Sequence, residues 1–185
     1  VYLYLRADWP FLVIGALSIL FGVMYTAGRY SLAYLGLGDP FVLIFFGPVA
    51  VGGTYYVQAL TIDWPVIVAG FAPGLLAVGL LVVNNLRDID EDREARKRTL
   101  AVRFGATFCR IEYTLCILIA SLIPVLLWQQ GMTAGILLAA LIIVPGLIIS
   151  ARVWQAEGIQ LKPYLGMTAG LLLLYSVLFC FGLSV

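Results

Sequence analysis

Long runs of apolar residues alternate with short polar segments along this chain. The uncharged runs cover residues 9–28, 40–62, 64–86 and 163–185. A further apolar stretch, residues 111–151, is too long for one membrane crossing, and the polar sequence WQQGM at 128–132 divides it. A transmembrane helix needs about 20 mostly apolar residues. The pattern therefore predicts six spans in an all-α, polytopic transmembrane helix bundle.

The composition agrees with a membrane protein. Of the 185 residues, 63% are hydrophobic and 11% are charged, whereas a soluble domain has about 25% charged residues. The sequence contains no histidine, which excludes histidine-based catalysis and histidine metal sites. It begins with VYLYL rather than with methionine. Because VYLYL is typical of the end of an apolar helix, we expect a preceding segment to be missing.

The basic residues lie almost entirely between alternate spans. With six spans, the segments 28–39, 87–110 and 152–162 share one side of the membrane, and they hold ten of the eleven Lys and Arg residues. Loops rich in Lys and Arg generally stay in the cytoplasm. We therefore predict a multi-pass protein of the cell membrane whose charged loops are cytoplasmic.

The sequence NNLRDIDEDREARKRTLAVRFG, at 84–105, interrupts the apolar pattern. A cytoplasmic loop explains its bases but not its five acids within residues 88–94. If the third helix continues past Leu86, a projection at about 100° per residue gathers polar side chains on one face. These are Asn84, Asn85, Asp88, Glu91 and Asp92. Asp90 and Arg93 are expected to point elsewhere.

Asp88 and Asp92 are four residues apart, so their Cβ atoms are expected to lie roughly 6 Å from each other on a helix. Mg²⁺ prefers oxygen ligands and is commonly held by one or two carboxylates together with substrate phosphates. Neighbouring bases would help to neutralise a phosphate-bearing ligand. These bases are Arg87, Arg93, Arg96, Lys97 and Arg98. A solvated loop of mixed charge is the alternative, since two aspartates at this spacing are common on helices.

Two blocks of this sequence resemble a known family. The first runs from Asn84 to Asp92 and continues with KRTLAVR at 97–103. The second comprises YT at 25–26, GLGD at 36–39, FFG at 45–47 and GTYYVQ at 53–58. Both are similar to motifs of the UbiA superfamily of intramembrane aromatic prenyltransferases. The closest resemblance is to the members that act on 1,4-dihydroxy-2-naphthoate.

The resemblance implies a reaction and its partners. The expected reaction is Mg²⁺-dependent transfer of a polyprenyl group from polyprenyl diphosphate to 1,4-dihydroxy-2-naphthoate, with loss of the carboxylate, giving demethylmenaquinone. The protein would work within the lipid bilayer and without nucleic acid.

The resemblance also assigns roles to residues. Asp88 and Asp92 are expected to hold Mg²⁺, with Glu91 as a possible third carboxylate. Arg87 and Lys97 are the expected diphosphate contacts. The expected substrate-binding residues are Asn84, Asn85, Tyr55, Tyr56, Gln58, Tyr25, Arg29 and Asp39. The last three surround a loop that could cap the site, and the tyrosines at 55 and 56 could instead form an interfacial aromatic belt.

This sequence departs from the family pattern at two points. Arg96 stands where glycine is expected. More seriously, family members have about nine helices and a first aspartate-rich motif near the N-terminus, and this chain shows neither. We therefore expect residues 1–185 to form a single prenyltransferase domain that lacks its N-terminal third and half of its active site. Such a fragment is expected to be inactive on its own.

Other functions remain open at this point. The acceptor could be another aromatic ring. CDP-alcohol phosphotransferases also use membrane aspartates, but the Asp-Gly of their signature does not occur here. A non-enzymatic transporter usually has ionisable residues in the middle of its spans, which these spans lack, although Pro48 and Pro73 could break helices as in transporters. A structural subunit is a further alternative.

Overall fold

The structure, a computed structural model, describes residues 2–26, Tyr34 and residues 36–185. Within the first helix, it describes the side chains of Trp9 and of residues 12–24 only. The described residues form helices and contain no β-strand. The α-helices are α1 Tyr2–Thr26, α2 Gly38–Ile44, α3 Ala50–Ala59, α4 Trp64–Arg87, α5 Ile89–Glu94, α6 Leu100–Gln129, α7 Ile143–Gln155 and α8 Lys162–Ser184. A π-helical turn, Phe45–Val49, joins α2 to α3, and the 3₁₀ segments Ala134–Ile142 and Gly158–Leu161 precede α7 and α8.

The helices confirm the predicted membrane bundle. Five helical segments of the described chain are long and apolar enough to cross a bilayer, and α1 contains a shorter apolar helix at Leu12–Met24. The five are Gly38–Ala59, Trp64–Arg87, Leu100–Gln129, Ala134–Gln155 and Gly158–Ser184. The long apolar stretch divides at the predicted place, because α6 ends at Gln129 and Gly131 adopts a φ of +97°.

The second span is bent where proline interrupts it. Pro48 cannot donate a backbone hydrogen bond, and its ring clashes with the preceding turn. The helix accommodates it with the π-helical turn, in which Gly47 leaves the helical region at φ −103° and ψ −112°. At this bend the backbone approaches α4 closely: a Cβ on Gly70 would lie 2.8 Å from the Cα of Pro48. Small residues are therefore required where these two spans touch.

The core lies between α4 and α6. From α4, Ala72, Leu76 and Val83 are fully buried, and they meet buried residues of α6. Tyr113 in α6 is also fully buried, and its hydroxyl shares a hydrogen bond of 2.8 Å with Thr168 in α8. That contact satisfies a polar group inside the bundle, where an unpaired hydroxyl would be costly.

The basic segments between spans meet at one end of the bundle. The backbone N–H of Arg98 donates to the carbonyl of Tyr34 over 3.0 Å. The guanidinium of Arg110 donates to the carbonyl of Ala156 over 3.1 Å. The segments before α2, between α4 and α6, and between α7 and α8 therefore share one end, as the distribution of bases predicts. The membrane side that this end faces stays a prediction.

Candidate active site

The acidic stretch begins where the long helix α4 ends. Asp88 follows the last residue of α4, with φ −99° and ψ 15°. The helix is thus interrupted at Asp88, whereas the sequence projection assumes that it continues. The backbone hydrogen bonds nevertheless keep the helical spacing, from the Asp88 N–H to Asn84 O (3.1 Å) and from the Asp92 N–H to Asp88 O (2.8 Å). Asn84, Asp88 and Asp92 therefore lie on successive turns.

The acids differ sharply in exposure. The side chain of Asp92 is 6% exposed and that of Asp88 is 25% exposed, whereas that of Asp90 is 84% exposed. Asp90 pairs with Arg93 over 2.8 Å at the surface. The structure thus separates Asp88 and Asp92 from Asp90, in agreement with the predicted face. Glu91 is exposed, and its role as a third carboxylate stays a prediction.

Arg87 binds Asp88 through two parallel contacts. Its Nε donates to Oδ1 over 2.6 Å, and its Nη2 donates to Oδ2 over 2.7 Å. The same Nη2 also donates to Oδ1 of Asn84 over 3.0 Å. A bidentate guanidinium–carboxylate pair is among the stronger and more directional ionic contacts in proteins. The guanidinium of Arg87 therefore fixes the side chains of Asn84 and Asp88 relative to each other. Asn85 is half-buried beside them.

The turn at the end of α5 brings Lys97 into contact with Asp92. The N–H of Lys97 donates to Asp92 O over 2.9 Å, the N–H of Arg96 donates to Arg93 O over 3.1 Å, and Arg96 has a φ of +57°. These two bonds and the left-handed residue define a Schellman motif. The motif turns the chain back, so that Nζ of Lys97 reaches Oδ1 of Asp92 over 2.6 Å. This hydrogen bond raises the pKa of Lys97 above its usual value.

Tyr34 is a site residue that the sequence analysis missed. Nζ of Lys97 lies 5.8 Å from the centre of its ring, within range of a cation–π contact. The backbone bond between Arg98 and Tyr34 holds the two segments together. No signal in the sequence distinguishes Tyr34 from the other tyrosines. The contact does support the prediction that the segment before α2 covers this site.

An apolar cavity of about 720 Å³ reaches Asn84, which is hydrogen-bonded to Arg87. Its walls come from α1, the bent second span, α4 and α8, and they include Asn84. Three phenylalanines form one cluster in the wall: the ring of Phe21 lies 5.3 Å from those of Phe41 and Phe45, which lie 5.8 Å from each other. The polar end of the cavity therefore lies one helical turn from Asp88.

The predicted capping residues are only partly described. Arg29 lies outside the described residues, and Tyr25 is described only as part of the helix α1. Asp39 lies in the first turn of α2 and is 6% exposed. Within the described part of the chain its Oδ1 has no hydrogen-bond partner. A buried carboxylate oxygen without a partner is uncommon in proteins, which marks Asp39 as a candidate ligand contact.

Tyr55, Tyr56 and Gln58 do not join this site. They lie near the end of α3, and the hydroxyl of Tyr55 donates to Asp63, the residue before α4, over 3.3 Å. The 24 residues of α4 separate Asp63 from Asp88, about 36 Å at 1.5 Å per residue. None of the three lines the apolar cavity. The pieces of the second sequence block are thus divided between the two ends of the bundle.

The carboxylates fit a divalent metal only in part. Asp88 and Asp92 supply hard oxygen donors on adjacent turns, beside the amide of Asn84, which is the donor chemistry that Mg²⁺ prefers. No group of three His, Cys, Asp or Glu side chains converges among the residues that the structure describes. A metal held here would therefore need further oxygen ligands from a substrate, from water or from other protein residues.

The model of the UbiA prenyltransferase family matches residues 1–162. The chain belongs to the UbiA prenyltransferase family. The match covers α1 to α7 and ends at the first residue of α8. Membership of this family favours an enzyme over the transporter and the structural subunit that the sequence left open.

Three curated members of the family are similar to this chain, and each is named 1,4-dihydroxy-2-naphthoate octaprenyltransferase. The protein from Escherichia coli is 39% identical over 180 residues, which is 94% of this chain and 57% of the relative. The protein from Haemophilus influenzae is 45% identical over 114 residues, 62% of this chain and 37% of the relative. The protein from Mycobacterium tuberculosis is 46% identical over 109 residues, 59% of this chain and 37% of the relative. The chain thus spans about half of the length of these relatives, or less.

Proposed function

We propose that this chain forms the donor-binding part of a membrane-bound aromatic prenyltransferase. The observation that carries the proposal is the apolar cavity that ends at Asn84, one turn from Asp88. A ligand with an apolar tail and an anionic head would fit, with its tail in the cavity and its head at the acidic and basic residues. Polyprenyl diphosphate has this chemistry. The names of the three relatives support 1,4-dihydroxy-2-naphthoate as the acceptor. Replacement of its carboxylate by the prenyl group would give demethylmenaquinol, the reduced form of the proposed product demethylmenaquinone.

Asp88 and Asp92 would hold Mg²⁺, assisted by the amides of Asn84 and Asn85. When bound, the metal supplies positive charge that stabilises a diphosphate leaving group. Prenyltransferases of the UbiA family generally depend on a divalent metal, and the donor set on these two turns is consistent with that dependence.

Arg87 and Lys97 would bind the diphosphate oxygens. When the bond between C1 of the prenyl group and the diphosphate oxygen breaks, its electron pair leaves with the diphosphate. Cationic groups placed at the oxygens before the reaction stabilise that charge. The prenyl group becomes an allylic cation, and a ring carbon of the acceptor forms the new carbon–carbon bond as the carboxylate departs as CO₂.

The cavity would protect the cation from water. Its lining is almost entirely apolar, and the faces of aromatic rings attract cations. Phe21, Phe41 and Phe45 place three such rings in the wall. Excluding water prevents hydrolysis of the reactive group before the acceptor is attacked.

The test is to substitute the acids in the protein as it is expressed from its own gene. Asp88→Ala and Asp92→Ala are expected to lower Mg²⁺-dependent transfer from a polyprenyl diphosphate to 1,4-dihydroxy-2-naphthoate by about 10² or more, the scale for losing one charge-stabilising group. Asp90→Ala is the matched control and should change the rate little, because Asp90 is 84% exposed and pairs with Arg93 at the surface. All three variants should insert into membranes. Equal losses at positions 88 and 90 would contradict the assignment.

A further inference from the structure

Each carboxylate of the proposed metal site already has a cationic partner within the chain. Arg87 binds both oxygens of Asp88, and Lys97 binds Asp92 over 2.6 Å. We propose that these two bases occupy the carboxylates in the ligand-free protein and move to the diphosphate when the metal and the diphosphate bind together. The inference rests on the proposed function, and it adds that the protein binds the two ligands in a coupled manner.

The charges support this coupling. Two carboxylates and two bases sum to zero, so a divalent ion that arrives alone meets a neutral cluster and is repelled by the neighbouring guanidinium and ammonium groups. A diphosphate changes the balance, because it offers Arg87 and Lys97 new anionic partners. The carboxylates are then available to the metal. Coupling free energies between two ligands are commonly about 1–3 kcal/mol, or about 5–150-fold in affinity.

The burial of Asp92 explains why a base is needed before the metal binds. Its side chain is 6% exposed, and an uncompensated charge at such a position is strongly destabilising. Lys97 provides the compensation. Exchange of one cation for another keeps Asp92 neutralised at every stage.

The side chain of Lys97 can move while its backbone stays in place. Its backbone is fixed by the Schellman motif at Arg96, while the ammonium group lies at the end of a flexible four-carbon chain. The ring of Tyr34, 5.8 Å from Nζ, offers a second contact to the cation beside Asp92. The side chain can therefore change partners without a change in the fold of the loop.

The experiment titrates Mn²⁺ binding to the chain in lipid nanodiscs, with and without inorganic pyrophosphate, and compares the two curves at matched concentrations of free Mn²⁺. For the natural sequence, pyrophosphate should increase Mn²⁺ affinity about fivefold or more. Lys97→Gln should bind Mn²⁺ about fivefold more tightly than the natural sequence when pyrophosphate is absent, and should gain less from pyrophosphate. Arg87→Gln should behave in the same way through Asp88. If circular dichroism shows that Lys97→Gln does not fold, the Arg87→Gln variant provides the test.

Two controls separate this exchange from a general effect of charge. Arg93→Gln removes one positive charge from α5, but its partner is the exposed Asp90, so Mn²⁺ binding in the absence of pyrophosphate should stay unchanged. Lys97→Arg keeps the cation and should resemble the natural sequence. Mn²⁺ binding that is equal or weaker in the folded Gln variants without pyrophosphate would overturn the exchange. Unchanged Mn²⁺ binding in both Asp88→Asn and Asp92→Asn would instead overturn the metal assignment in the proposed function.

Discussion

Arg96 lies in the left-handed region of backbone conformation, at φ +57°, directly after the turn that ends α5. A residue with a Cβ adopts this conformation at a cost of roughly 1–2 kcal/mol, and glycine is the usual residue at this place of a Schellman motif. The resemblance to the family also leads us to expect glycine here. The structure thus gives the physical reason for that expectation: the turn at Arg96 is what brings Lys97 back to Asp92.

Arg96→Gly should stabilise this turn. We expect a gain of about 1 kcal/mol, which corresponds to about fivefold slower hydrogen exchange at the Lys97 amide, the donor to Asp92 O. Arg96→Ala is the control, because it removes the same charge but keeps the Cβ, and it should not slow the exchange. Equal protection in the two variants would mean that charge rather than backbone conformation decides the stability of the turn.

Among the elements, the contact between the bent second span and α4 depends most directly on small side chains. A Cβ on Gly70 would lie 2.8 Å from the Cα and 2.9 Å from the N of Pro48, both backbone atoms that have little freedom to move. The bend at Gly47 and Pro48 also shapes the cavity, because Phe41 and Phe45 before it and Ala50 after it all line the wall. Packing at this contact and the shape of the proposed tail site are therefore linked.

Gly70→Ala should destabilise the bundle, since overpacking of a tight contact typically costs about 1–3 kcal/mol. Gly170→Ala is a matched control in α8, where an added Cβ would have no atom within 4 Å. Thermal unfolding of both variants in the same detergent measures the difference. If Gly70→Ala is as stable as Gly170→Ala, the two spans do not pack as closely as the structure shows.

At the scale of the whole molecule, the basic segments and the acidic site share one end of the bundle, and Asp63 lies at the other. The distribution of Lys and Arg predicts that the first end faces the cytoplasm. The proposed substrate head would then bind at the cytoplasmic surface, with its tail reaching into the membrane.

Single cysteines test this orientation in a background without Cys109, Cys116 and Cys180. A membrane-impermeant thiol reagent added to intact cells should label Asp63→Cys and leave Arg96→Cys unlabelled. After the cells are opened, both positions should react. The reverse pattern in intact cells would place the acidic end outside the cytoplasm.

Much of this protein follows from its sequence alone. Uninterrupted apolar runs require helices in a bilayer, because backbone polar groups can find no partners in lipid. The runs therefore located the spans, although α6 already begins at Leu100, before the apolar stretch at 111–151. The four-residue spacing of Asp88 and Asp92 likewise identified the acidic face, since helical hydrogen bonds are local.

Only the tertiary structure decided which distant residues meet. Tyr55, Tyr56 and Gln58 appeared to belong with the aspartates because both blocks resemble one family, but antiparallel packing of α3 and α4 places them toward opposite ends. The contacts of Tyr34 with Lys97 and of Arg98 with the Tyr34 carbonyl join segments more than sixty residues apart. No local pattern encodes such pairs, because they depend on how whole helices pack. The cavity beside Asn84 likewise exists only because α1, the bent second span, α4 and α8 converge there.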